Sequence, residues 1–168
     1  MKRRWVVNSS PIIALAKVGQ IHLFSDLFDD IIIPGGVAEE IEQGPEDDPA
    51  KIWLRDYGLK WVQNVAQINP IIMAWDLGCG ESEVISMAYD NSHYGVILDD
   101  RAARNCAYSM GMKVCGTIGI LLFAKRYKKI KRVSNILNEL CRVGFRISPK
   151  LFKIALELSN ENNKEEGR

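Results

Sequence analysis

The feature that most restricts this chain is a series of short, wholly apolar runs separated by amphipathic stretches. Trp5 to Val7, Ile31 to Ile33 and Tyr94 to Leu98 carry no polar alternation, so a strand built from any of them is covered on both faces, and Met112 to Cys115, broken by Lys113, is a further short strand candidate. Helical segments fall between them: Pro11 to Lys17, Ile21 to Phe28, Gly35 to Gln43, Lys51 to Tyr57, Glu81 to Tyr89 and Arg101 to Met110. Strands alternating with helices in this way predict an α/β fold, layered around a mostly parallel sheet. Lys60 to Val65 is expected as a peripheral strand. Three more helices are expected at Ile118 to Arg126, Val133 to Cys141 and Pro149 to Leu158, with Ser10 and Thr117 as helix caps.

With 168 residues, one core is the economical assumption, spanning 1–158, and the polar stretch 159–168 is expected to be a disordered tail. Lysine and arginine total 22 against 21 acids, so bulk charge selects no partner. The longest apolar runs fall far short of the roughly 20 residues a membrane helix needs, and no signal-peptide core follows Met1-Lys-Arg-Arg4. The expected location is the cytoplasm, away from membranes. Four cysteines without CxxC spacing disfavour structural zinc, and two histidines, His22 and His93, leave little from which to build a Ser-His-Asp site. Catalysis by such a chain would run on carboxylates.

Parallel sheets place their sites at the carboxyl ends of strands, where Asn8 and the Asp99-Asp100 pair fall. Glu40 and Glu81 also stand out, Glu81 because it opens a helix after Gly80. Each has an ordinary structural explanation. Glu40 sits beside Glu39 and Glu42 as a solvated face would, Glu81 suits a helix dipole, and Asp99, Asp100, Asn8 and Ser9 suit caps and turns.

In combination, the stretches Val7–Lys17, Ile33–Glu40, Gly80–Ala88, Leu98–Arg104 and Gly116–Leu121 resemble a PIN-like domain, in the branch similar to toxins of type II toxin-antitoxin pairs. The resemblance extends over roughly 150 residues and implies a three-layer α/β/α fold with a mostly parallel central sheet. It implies a Mg²⁺- or Mn²⁺-dependent ribonuclease, hydrolysing phosphodiesters endonucleolytically. Catalytic positions would be Asn8, Glu40, Glu81 and Asp100, with Asp99 joining them around the metal and Ser9 and Thr117 as supporting hydroxyls. RNA and a small antitoxin protein are the implied partners. A homodimer is also implied, for which the apolar faces of 21–28 and 151–158 are candidates, although both suit a core equally well.

Position 8 departs from the family pattern, because asparagine replaces the usual first aspartate and leaves the pocket one charge poorer. The alternative reading is therefore a catalytically weak or inactive PIN-like module that binds nucleic acid or a partner. A phosphatase-like enzyme with an aspartyl nucleophile is more distant, since an amide cannot form that intermediate. Lys125 to Arg132 holds six cations in eight residues. Lys125, Arg126, Lys128 and Lys129, with Arg101 and Arg104, are the candidate phosphate contacts, expected near the acidic pocket. A solvated helix end explains the same run equally well.

Overall fold

The computed structural model describes residues 2–161. Five parallel strands form the sheet: β1 (Arg4–Val7), β2 (Asp30–Pro34), β3 (Val62–Gln63), β4 (Gly95–Ile97) and β5 (Val114–Cys115). Their order is β3-β2-β1-β4-β5, so the chain winds outward from β1 to one flank, then crosses to β4 and continues to the other. Val6, Val7, Ile33, Val96 and Ile97 have no exposed surface, as expected of strands covered on both faces.

Helices α1 (Ser9–Lys17), α2 (Leu23–Leu27), α3 (Gly35–Glu42) and α4 (Pro49–Asp56) belong to the β1-to-β3 half. Next come α5 (Pro70–Met73), α6 (Cys79–Asp90), α7 (Arg101–Ser109), α8 (Thr117–Arg126), α9 (Val133–Arg142) and α10 (Pro149–Leu158). Helices lie on both sides of the sheet: α6 packs on β1, β2 and β4 with α7 beside it, while α1, α8 and α9 pack together opposite. The result is a three-layer α/β/α fold. Among the described residues no helix is long and apolar enough to cross a membrane.

Several expectations change locally. Lys60–Val65 forms a 3₁₀ turn at Gly58–Trp61 followed by only two strand residues, because Trp61 leaves the sheet to stack on Trp53, with ring centroids 5.8 Å apart. The single turn α5 is too short to show a helical period. Its local signal is the Asn69-Pro70 pair, where Asn69 Oδ1 accepts from the Ile71 N–H at 2.9 Å and proline occupies the first turn.

Ser10 is not a cap, since α1 starts one residue earlier, after Asn8. Thr117 is not a cap either: Gly116 precedes α8, and the Thr117 hydroxyl points to Asp99. The face of 21–28 is core, with Leu23, Phe24, Leu27 and Phe28 buried, whereas α10 leaves Leu151, Ile154 and Leu158 exposed.

The chain remains in the fold through Glu161, beyond the expected boundary at 158. Ser159 is buried, and the Glu161 carboxylate accepts the Val133 and Ser134 N–H groups at 2.7 and 2.9 Å and pairs with Lys125 at 3.2 Å. The rest of the expected tail, 162–168, lies outside the described residues.

Candidate active site at the carboxyl edge

In a parallel α/β sheet the helices run back against the strands, so helix N-termini collect at the carboxyl edge. Here α1, α3, α6, α7 and α8 all begin there. Their unpaired N–H groups and positive dipole ends favour anions, and acidic side chains occupy that field.

Each acid at this edge takes a backbone N–H. Glu40 Oε1 accepts from Gly80 at 3.3 Å, Glu81 Oε2 from Gly78 at 3.0 Å, Asp99 Oδ1 from Thr117 at 2.8 Å, and Asp100 Oδ1 from Ala103 at 2.9 Å. Glu83, absent from the expected site, accepts from Gly36 at 2.7 Å. Glu40 and Glu83 form a reciprocal clasp, because α3 sends a carboxylate to the first turn of α6 and α6 returns one to the first turn of α3. Glycine on both sides lets the carboxylates approach this closely. A Cβ at Gly80 would lie 2.7 Å from Glu40 Oε1, and one at Gly36 would lie 2.8 Å from Glu83 Oε2. The repeated pairing of glycine with glutamate in Gly35-Gly36 and Gly80-Glu81-Ser82-Glu83 is the sequence signal that marks Glu83.

The expected residues now separate into roles. The Ser9 hydroxyl donates to Glu40 Oε2 at 2.7 Å and so holds that carboxylate from its other side. Glu81 has its carboxyl pushed up from the ordinary value, chiefly by burial and further by the negative charges of Asp100 and Glu40, against the lowering effect of the Gly78 N–H. Glu81 therefore feels the charges of both Asp100 and Glu40. Asp99 diverges from the expected metal position: Oδ2 also accepts from the Thr117 hydroxyl at 2.6 Å and the Ser10 hydroxyl at 3.4 Å. Three donors engage it, and its role is to anchor the start of α8 beside α1.

Asn8 carries the most informative atom. It directly follows β1, its N–H donates to the Ile97 carbonyl at 3.1 Å, and its side chain is buried at 4% exposure. It precedes α1 without capping it, and Oδ1 has no hydrogen-bond partner. A buried acceptor without a donor costs about 1–3 kcal/mol, so the position calls for a donor or a cation. It sits between β1 and β4, where the winding of the sheet reverses, the crevice in which such sheets bind their ligands.

Among the described residues no three His, Cys, Asp or Glu side chains close on one point as a ready-made metal cage. The donor set is an orphaned amide oxygen, two or three carboxylates and a serine hydroxyl, all hard oxygens. This fits a hydrated divalent cation, which keeps several waters and touches one or two carboxylates directly. Thiol chemistry is disfavoured: Cys106 and Cys115 are buried, and burial pushes the Cys115 thiol up to about 12.

The cationic candidates move elsewhere. Arg104 Nη1 donates to the Leu98 carbonyl at 2.9 Å and Nη2 to the Tyr108 hydroxyl at 3.3 Å, so it pins the end of β4 to α7. Arg101 remains exposed at the start of α7. The basic run is not near the acids, because α8 starts at the carboxyl edge and its ten residues carry it roughly 15 Å toward the opposite edge. The guanidinium of Arg3, which precedes β1, lies 4.7 Å from the ring of Tyr127 and fixes that placement. Lys125 donates to the Lys131 carbonyl and pairs with Glu161, so it is structural, while Arg126, Lys128 and Lys129 are exposed at the amino edge.

A doubly wound parallel sheet with acids anchored on helix N-termini at its switch point defines a class of α/β protein whose chemistry sits at the carboxyl edge. Within that class the chain belongs to the PIN domain family, whose model matches residues 4–161, and so has a nuclease-type fold. No curated protein and no solved structure matches the chain.

Proposed function

We propose that this protein is a divalent-metal-dependent endoribonuclease, the toxin of a type II toxin-antitoxin pair, acting in the cytoplasm on RNA. The observation that carries the reading is the orphaned Asn8 Oδ1, buried at the switch point next to Ser9, which holds Glu40, while the charges of Glu40 and Asp100 both act on Glu81. Mg²⁺ or Mn²⁺ held by Asn8, Glu40, Glu81 and Asp100 would offset their charge and supply an activated water for in-line attack on phosphorus.

The chain's own groups prepare that site. Ser9 and the Gly80 N–H fix both oxygens of Glu40, the Gly78 N–H orients Glu81, and the Ala103 N–H holds Oδ1 of Asp100. Burial and the charges of Asp100 and Glu40 raise the Glu81 carboxyl, so it is the most basic carboxylate of the group and the one we assign to proton transfer. Arg101, at the same edge, is positioned to meet a substrate phosphate. A small antitoxin would act by covering this edge, and a second copy of the chain by covering the stripe Leu151, Ile154 and Leu158 on α10.

The test is cleavage of a mixed-sequence RNA with Mn²⁺, abolished by chelation and by Asp100→Ala. The second reading is a PIN-like binding module without catalysis, and the neutral Asn8 favours it. RNA binding that survives chelation, with no cleavage in any metal, would establish that reading instead.

A further inference from the structure

The amino edge of the sheet carries orphaned atoms of the opposite kind. A cavity of about 540 Å³ opens there, lined by Lys2, Arg4, Tyr89, His93, Tyr94 and Lys113 among others, and a smaller one of about 140 Å³, reaching Arg3 and Trp5, shares Lys2, Arg4, His93 and Lys113 with it. No aspartate or glutamate lines either cavity; of the acids nearby, Asp30 accepts from the Tyr94 hydroxyl and Asp29 pairs with Arg3. Arg4 Nε and Trp5 Nε1 are buried donors without an acceptor, and Lys2, Arg4 and Lys113 form no ion pair among the described residues. Clustered cations repel one another, and buried N–H groups cost free energy when left empty, so this arrangement calls for an anion with several oxygens.

We propose that the amino-edge cavity binds a nucleotide unit, with its phosphate held by Arg4, Lys2 and Lys113. The volume lies within the range of small-molecule pockets, and Tyr89, 47% exposed on the cavity wall, offers a ring face for a base. This site is separate from the acidic edge: Tyr94 and Asp99 flank β4 at its two ends, roughly 16 Å apart at the rise of a strand. The inference therefore stands independently of the nuclease reading. The nucleotide can come from two sources, a free mononucleotide or one unit of a single-stranded RNA whose neighbouring phosphates continue past Arg3 toward Lys128 and Lys129.

The experiment is calorimetric titration of the full chain in EDTA, which prevents metal-dependent cleavage, with AMP and with a 12-nucleotide single-stranded RNA. The variants are Lys2→Gln/Lys113→Gln and Arg4→Gln. Both lysines are exposed, so the double variant tests the site even if Arg4→Gln disturbs β1. Loss of a charged phosphate contact should weaken binding about tenfold. Weakened AMP binding identifies a free-nucleotide site, while silence with AMP and weakened RNA binding with a shallower salt dependence identifies a strand-gripping site. Wild-type protein that binds neither probe at millimolar concentration, or affinities unaltered in the lysine double variant, would overturn the proposal.

Discussion

At the scale of single residues, the acidic edge is a contest between desolvation and repulsion on one side and helix-end N–H groups on the other, and two substitutions measure it. Asn8→Asp adds a charge with almost no change in size, at the atom that now lacks a partner. It should tighten Mn²⁺ binding in calorimetry and slightly lower the melting temperature without metal, since another carboxylate joins Glu40, Glu81 and Asp100. Equal, weak Mn²⁺ binding by both proteins would argue against a cation site. Glu81→Gln keeps an oxygen for the Gly78 N–H but removes the charge. Because the folded state raises the Glu81 carboxyl above its ordinary value of 4.5, folding loses stability as pH rises through and above that value. Metal-free Glu81→Gln should therefore melt higher than wild type at pH 7, with the advantage vanishing below about pH 4.

At the scale of elements, what the sequence made legible depended on how local the cause was. The covered strands and the Asp100 cap of α7 were readable because their causes are local, Asp100 bonding the N–H three residues ahead; Asp48 and Ser148 cap α4 and α10 in the same way. Thr117 and Ser10 were misread as caps because their hydroxyls reach Asp99, and Glu83 was missed because its partner Gly36 is 47 residues away. The candidate site residues were named by pattern, but which of them influence one another and which, like Asp99, are engaged by scaffold donors is a property of the assembled edge. The start of α9 shows the same long reach. Its first residues are capped by Glu161, whose carboxyl, although burial opposes it, is drawn down to about 2 by the Ser134 and Val133 N–H groups, the Ser134 hydroxyl and Lys125. A depressed carboxyl stabilises the fold above 4.5 and loses that contribution as pH falls toward 2. Glu161→Gln should cost about 1 kcal/mol in urea titration at pH 7, and the difference from wild type should shrink to nothing by about pH 2.

At the scale of the whole molecule, the sheet has an orphaned acceptor among acids at one end and orphaned donors among cations at the other, where Asp29 and Asp30 are already engaged by Arg3 and Tyr94. Composition hides this, since the net charge is +1. The proposed dimer belongs to this scale too. Leu151, Ile154 and Leu158 lie three and four residues apart on α10, on one helical stripe. Light scattering should report two copies for wild type and one for Ile154→Glu/Leu158→Glu, with the melting transition retained because both side chains are exposed. A monomeric wild type would remove the interface.

The outermost strands, β3 and β5, are each two residues long. Each therefore offers an incoming chain a ladder of only one or two main-chain hydrogen bonds, and Trp61 and Gly116 turn the backbone away at once on either side. Extending the sheet by an added strand, the commonest way an unstructured peptide gains affinity without matching side chains, has nowhere to start here. A binding protein must instead recognise this molecule through side-chain pockets and charge at the two ends of the sheet, so its specificity should reside in a few residues and be erased by changing them.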